Sequence, residues 1–519
     1  MELKKQIIKK VKNKGKEFSQ ITLDDDYIVK DSKPDVIKII HSQGNVSVEE
    51  TRINSGAVWI NGRMDFMVLY RSDDEYNKTE VLSGAIPFQE KISMDGINEV
   101  DQPQLITELE DLSVGLINSR KLTIRCVINV WLMAEEEEED ELVSAVEESG
   151  GYQQKQSEKE MLSLISAKKD VCRVKKEIVL SNSKPNIRRI LWHSVDVRNL
   201  DNGVNGNKIQ IQGELYPTVL YQSEEDQLEW VDTMLSFSEE IEAMGADNPD
   251  VYWIKPILTA TEVEAKNDSD GECRKIAIDM TFEVYYKLWK EEKINLLEDL
   301  YALDREIVPK KERTLLTCFR MKNVAKVRVA DTFTLENNQE KILQICSYKG
   351  NVRIDRATIT EQGISFEGIL QVHILYLTAE DNFPLAHLEE VLPFEQLVEV
   401  DRITENTWYE YREAIDQLQV NLLDNSEYEI KALLRIAVLA FEEESIEKIC
   451  DVEETEENIA NLMERPGLIG YVVGEQEDLW DVAKAYHTTV ADIMETNELK
   501  TRKLKAGTKI IIVKSVSAC

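Results

Sequence analysis

The sequence predicts a multidomain, mainly β protein: three tandem antiparallel repeats, each sandwich- or barrel-like, followed by a small β-α-α-β module. Three observations carry this expectation. A nine-residue strand pattern recurs three times at a domain-sized spacing. The segment closing each repeat alternates apolar and polar side chains, the period of a half-buried strand. Near the C-terminus the period changes to that of an amphipathic helix.

The recurring pattern is GRMDFMVLY at Gly62–Tyr70, GELYPTVLY at Gly213–Tyr221 and GILQVHILY at Gly368–Tyr376. Upstream, YIVKDSKPDVIKII (Tyr27–Ile40) matches EIVLSNSKPNIRRIL (Glu177–Leu191), and FTLENNQEKILQI (Phe333–Ile345) keeps the spacing without the proline. Downstream, Phe88, Phe237 and Phe394 follow the three tyrosines by 18, 16 and 18 residues. The period, 151 and then 155 residues from glycine to glycine, is far longer than a solenoid repeat of roughly 20–50 residues, so each copy is a domain with its own core. The repeated Gly marks a bulge or a close backbone approach. The repeated Tyr is expected to pack with its hydroxyl tied off.

The closing segments are KLTIRCVINVWLM (Lys121–Met133), KIAIDMTFEVYYKLW (Lys275–Trp289) and YEIKALLRIAVLAF (Tyr428–Phe441). The last also reads as a buried helix. Turn clusters such as DNGVNGN (Asp201–Asn207) separate strands, as an antiparallel sandwich or barrel requires. The resulting organisation is a basic N-terminal segment (1–19), repeats at 20–134, 167–292 and 319–444, and a C-terminal module at 468–515. Between them lie an acidic linker (135–166), a connector (293–318) and a second acidic linker (445–467). The stretch that begins AEEEEEDEL is too charged to pack and is expected to be a solvated linker or a frayed helix, mobile over Glu135–Glu160 and dispensable for folding.

The chain has 519 residues, with 98 acidic against 62 basic side chains and a net charge of −36. That balance argues against nucleic-acid and anionic-membrane partners, which would repel most of the surface. Seven cysteines without a Cys-x-x-Cys pair fit reduced thiols of a cytosol better than a disulfide framework or a zinc site. The basic N-terminus lacks a following apolar region, and no stretch nears the ~20 apolar residues that span a bilayer, so a soluble intracellular protein is expected.

In the last module, Tyr471–Val473 reads as a strand. A helix follows with Leu479, Val482, Ala483 and Tyr486 on one face, and Thr489 with Asp492 opens a second helix carrying Val490, Ile493 and Met494. Ala506-Gly507 turns the chain into a closing strand, Lys509–Val513. Ten of these positions, Tyr471, Val473, Leu479, Trp480, Val490, Ile493, Asn497, Leu499, Leu504 and Gly507, make the segment resemble a LysM domain. The family usually has Gly-Asp-Thr before Leu-Trp, where this chain has Gln476-Glu477-Asp478. The resemblance implies a binding groove between that loop and the one before the closing strand. It would be lined by Gln476, Glu477, Asp478, Leu479, Trp480, Lys503 and Leu504. Longer acidic side chains in the first loop argue against the N-acetylglucosamine binding known for the family.

Three β repeats followed by LysM resemble the clostridial spore-coat morphogenetic proteins with tandem SPOCS domains. That resemblance implies a non-enzymatic scaffold or adaptor in the mother-cell cytoplasm, recruited to the forespore surface. LysM would dock on the coat morphogenetic ATPase, and the β repeats would recruit other coat proteins. The alternative is a peptidoglycan- or cortex-binding LysM protein. Catalytic motifs are absent from the sequence: it has no H-E-x-x-H, G-x-S-x-G, P-loop or G-x-G-x-x-G. The five histidines, His41, His193, His373, His387 and His487, are spread one to a region without metal-ligand spacing, and His373 reads as a core residue. No metal and no cofactor is expected.

Overall fold

The computed structural model describes residues 2–54, 56–74, 78–99, 101, 103–147, 151–243, 245, 248–380, 384–455, 467–475 and 477–513. The first unit contains β1 (Leu3–Ile28), β2 (Val36–Asn54), β3 (Ala57–Ser72), β4 (Thr79–Ser93), β5 (Gln104–Asn118) and β6 (Lys121–Val146). One antiparallel sheet has the order β1-β6-β5 and a second the order β2-β3-β4. Their inner faces share one core: Ile60, Met64, Val68 and Tyr70 of β3 with Ile124, Cys126, Ile128 and Val130 of β6. Alternation decides this. Leu122, Ile124, Cys126, Ile128, Val130 and Leu132 are buried on one face of β6, while Arg125 between them stays outside and pairs with Asp24.

The second unit repeats the plan with β7 (Tyr152–Val179), β8 (Ile187–Asn205), β9 (Lys208–Ser223), a divided fourth strand β10 (Leu228–Asp232) and β11 (Leu235–Glu242), β12 (Val251–Asn267) and β13 (Cys273–Ala302). The third uses β14 (Glu306–Thr334), β15 (Ile342–Thr360), β16 (Gly363–Thr378), β17 (Leu385–Glu399), β18 (Thr407–Leu422) and β19 (Glu427–Thr455). The nine-residue segments are the central meander strand of each unit, β3, β9 and β16. Gly62, Gly213 and Gly368 lie directly opposite Phe88, Phe237 and Phe394 in the neighbouring strand. A Cβ at these glycines would meet the ring at 2.6, 3.0 and 3.0 Å, so the conserved spacing is a glycine covered by a cross-strand phenylalanine. The tyrosine hydroxyls donate to the backbone carbonyls of Pro34, Pro185 and Glu340, each 36 residues upstream. The third copy can lose its proline because the acceptor is main chain.

The acidic stretch is not a solvated linker. Its first part continues β6 and is paired along its length with the basic N-terminus, Lys9 opposite Glu139, Lys10 opposite Glu138 and Lys12 opposite Glu136. Lys5–Glu141, Lys9–Glu139, Lys10–Asp140 and Lys14–Glu136 lie at 2.7, 3.2, 3.0 and 3.5 Å. Charges that repel within one segment are neutralised by the strand beside them. The second part, from Tyr152, is the start of β7. The connector 293–318 likewise belongs to β13 and β14, and the second acidic linker continues β19 to Thr455, its residues 456–466 lying outside the described part. Lys431–Phe441, which also reads as a helix, is strand. Its apolar run is continuous because both faces are covered: Ile436, Val438 and Ala440 by the unit's own core, Leu439 and Phe441 by residues of the second unit.

Beyond the sandwiches, the first and last strands of each unit form long two-stranded ribbons, and the three ribbons pack together. Ile8 and Leu142 of the first, Met161, Ile294 and Leu296 of the second, and Leu316 and Ile446 of the third share one buried cluster. The meander sheets meet in another, where the equivalent leucines Leu69, Leu220 and Leu375 come together with Trp192. Two clusters, each fed by all three units, define an approximate threefold arrangement around a common line. Lys287 of the second unit bridges Glu135 of the first and Glu410 of the third at 2.5 and 3.1 Å.

Candidate partner-binding site

The C-terminal module consists of β20 (Leu468–Val472), α1 (Leu479–Ala485), α2 (Val490–Thr496) and β21 (Lys509–Val513), with β20 and β21 antiparallel. Asp478 caps α1 and, with Asp481, completes a reciprocal capping box. The Thr489 hydroxyl caps α2 by accepting from the Asp492 amide at 2.9 Å. Val473, Leu479, Val482, Ala483, Ile493, Ile510 and Ile512 make the core.

In the loop before α1, Glu477 turns inward. Its carboxylate accepts from the Tyr471 hydroxyl at 2.8 Å and from the Gly474 amide at 2.8 Å. These donors, the Gly474 amide first, hold the Glu477 carboxyl below its ordinary value. Gln476 lies outside the described residues. Leu479 is 2% exposed and belongs to the core, so it sets the helix rather than a surface. Lys503 is exposed among Lys500, Arg502 and Lys505, and Leu504 is half-buried against the module core.

Trp480 is half-buried, and what covers it is the second unit. Its indole N–H donates to Asp299 at 2.8 Å, Lys484 donates to the same carboxylate at 2.6 Å, and the Tyr301 ring meets the indole edge-on at 4.9 Å between centroids. Tyr301 itself is buried in the module's core cluster and donates to the Thr488 carbonyl at 2.7 Å. Burial works to raise the Asp299 carboxyl, but Lys484 and Trp480 outweigh it and leave it below its ordinary value. The module is thus seated on the end of the β7/β13 ribbon. A cavity of about 390 Å³ adjoins the seat, lined by Lys155, Lys159, Asp299, Glu444, Trp480 and Asp481 among others. Asp299 and Tyr301 carry no sequence signal for this role, because their partner lies about 180 residues away.

The histidines do not stay apart. His41, His373 and His387 place ring nitrogens within 4.8 Å of one another, although each comes from a different strand. The reading of scattered histidines fails because the strands carrying them converge where the units meet. His373 lines a cavity rather than filling a core.

The architecture is thus three repeated sandwiches packed together, with a small β-α-α-β module on one ribbon. The SipL, SPOCS domain family matches residues 35–117, 186–266 and 341–423, and the LysM domain family matches residues 471–513. The chain thus carries three domains that match the SipL, SPOCS domain family and a C-terminal domain that matches LysM. Both are non-catalytic binding domains, and the SPOCS matches imply a sporulation context. No curated protein and no solved structure matches it. Among the described residues, no helix is long and apolar enough to cross a membrane.

Proposed function

We propose that this chain is a scaffold in spore-coat assembly whose LysM domain docks on the coat morphogenetic ATPase at the forespore surface. One observation carries the choice of a protein over a sugar: the loop before α1 is closed by the Glu477 carboxylate, held by Tyr471 and Gly474. That inward carboxylate takes up the loop, so a sugar entering there would have to displace its internal hydrogen bonds. The loop before β21 instead presents exposed Lys500, Arg502, Lys503 and Lys505, suited to an acidic protein surface. The contact surface comprises Gln476, Glu477, Asp478, Lys503 and Leu504, with Trp480 at its border and Leu479 fixing the helix from beneath. The three SPOCS units space this surface and leave their outer faces for other coat proteins.

The test is a pull-down of the full chain with the purified ATPase beside one with peptidoglycan. ATPase binding weakened about tenfold or more by Lys503→Glu, most strongly at low salt, is the expected result. Peptidoglycan retention insensitive to Lys503→Glu, with no ATPase retained, contradicts it and leaves the glycan reading.

A further inference from the structure

We propose that His41, His373 and His387 form a binding site for one divalent transition-metal ion of the zinc type, tying the first SPOCS unit to the third. His41 comes from β2, His373 from β16 and His387 from β17. Their positions follow from the repeat. In each meander the repeated leucine has one flanking residue on either neighbouring strand: His41 and Val81 beside Leu69, Trp192 and Trp230 beside Leu220, Ser347 and His387 beside Leu375. The leucines converge, so these flanking residues converge too. His373, two residues before Leu375, completes the group.

The arrangement is that of a ligand set. The three ring nitrogens lie within 4.8 Å of one another, and the His373 and His387 nitrogens face each other at 3.3 Å. His41 stacks on His387 at 3.8 Å between centroids, and its ring lies 4.7 Å from that of Trp192 of the second unit, tilted by 52°. The His41 and His387 rings are stacked at 21° between planes, so binding an ion requires them to turn out of the stack until their in-plane lone pairs meet at one point, leaving the fourth position to water. The three rings are partly buried where the units meet, a setting that favours the neutral imidazole a metal requires. The 3.3 Å contact puts a proton between His373 and His387. Moving it to the outer nitrogen by tautomer exchange frees both lone pairs without net loss of a proton.

The surroundings fit a cation of modest charge. The Glu389 carboxylate lies 3.8 Å from the His373 ring nitrogen and is steadied by the Gln371 amide at 2.6 Å. Lys349, across the strand pair from His373, opposes it. A cavity of about 450 Å³ lined by His41, His373, His387, Glu389 and Glu108 gives an ion its entry. Three imidazoles without a thiolate select the borderline ions Zn²⁺, Co²⁺ and Ni²⁺ over Ca²⁺ or Mg²⁺.

The test is titration of the metal-stripped full chain with Co²⁺. One equivalent should bind with the visible d–d absorption of a tetrahedral site, and Zn²⁺ should displace it. The Co²⁺-loaded wild-type chain should also show hyperfine-shifted N–H proton resonances from three imidazoles, a readout independent of any variant's folding. His387→Gln and His373→Gln should weaken binding by more than the roughly 10–100-fold typical of losing a supporting group. His193→Gln, outside the cluster, should leave it unchanged. Absence of stoichiometric binding overturns the proposal. So does an intense near-ultraviolet thiolate-to-metal band, which places the ion on a cysteine, or the absence of shifted imidazole signals.

Discussion

Tyr70, Tyr221 and Tyr376 are each fully buried or nearly so, and each hydroxyl reaches a main-chain carbonyl in the turn that enters its meander. Tyr376→Phe leaves the Glu340 carbonyl without that donor and should lower stability by about 1 kcal/mol in denaturant unfolding. The glycines opposite the phenylalanines are not equally tolerant. A Cβ at Gly368 would stand 2.3 Å from the Arg353 carbonyl oxygen, whereas at Gly213 its nearest neighbour is a phenylalanine ring at 3.0 Å. Gly368→Ala should therefore reduce the melting temperature distinctly more than Gly213→Ala. Asp140 is a third residue with a measurable consequence. Burial works to raise its carboxyl, but hydrogen bonds from Lys448, Thr314 and Lys10 prevail and hold it at about 2. Between that value and the unfolded 3.8 the unfolded chain binds a proton the folded chain does not, so stability present above about pH 4 is lost as pH falls toward 2. Asp140→Asn should remove roughly 2 kcal/mol at neutral pH and flatten the pH profile in that window.

The ribbon of β1 and β6 shows what an element owes to a distant partner. Residues 1–19 read as a basic segment, and the acidic stretch that begins at 135 reads as too charged to pack. Paired, they place lysine against glutamate along the register. Reversing Glu136, Glu138 and Glu139 to Lys together should lower stability by about 0.2–1 kcal/mol per exposed pair, and added salt should restore part of the loss. An unchanged melting temperature at low salt would mean the ribbon contributes nothing there. The same logic marks what could be read in the sequence. The meander strands, the closing strands and the module were legible from local periodicity and spacing. The ribbon was not, because charge composition describes a segment and says nothing about the segment more than a hundred residues on that neutralises it. Within the LysM domain both helices and the Thr489 cap of the second were legible, while the Asp478 cap and the seat on Asp299 and Tyr301 were not, since one carboxylate and one tyrosine in a strand carry no mark of their partner.

At the scale of the whole molecule, three domains were legible and their union was not. Leu69, Leu220 and Leu375 each read as strand interior, which they are, but their burial comes from one another's units and from Trp192. Ribbon residues such as Ile8, Met161 and Ile446 are buried only between units. The three SPOCS copies therefore keep their own cores but are joined into one body through buried clusters that all three share, and the LysM domain is held against it through Trp480, Lys484 and Tyr301. Shared interior makes the copies energetically dependent, since an excised unit would expose its ribbon face and its axial leucine. The most direct measurement is native-state hydrogen exchange on the full chain across a denaturant series, following Gly62–Tyr70, Gly213–Tyr221 and Gly368–Tyr376. A shared body predicts that the three central strands open with one common free energy and one denaturant dependence. Three distinct opening energies, each with the smaller denaturant dependence of a single unit, would contradict it.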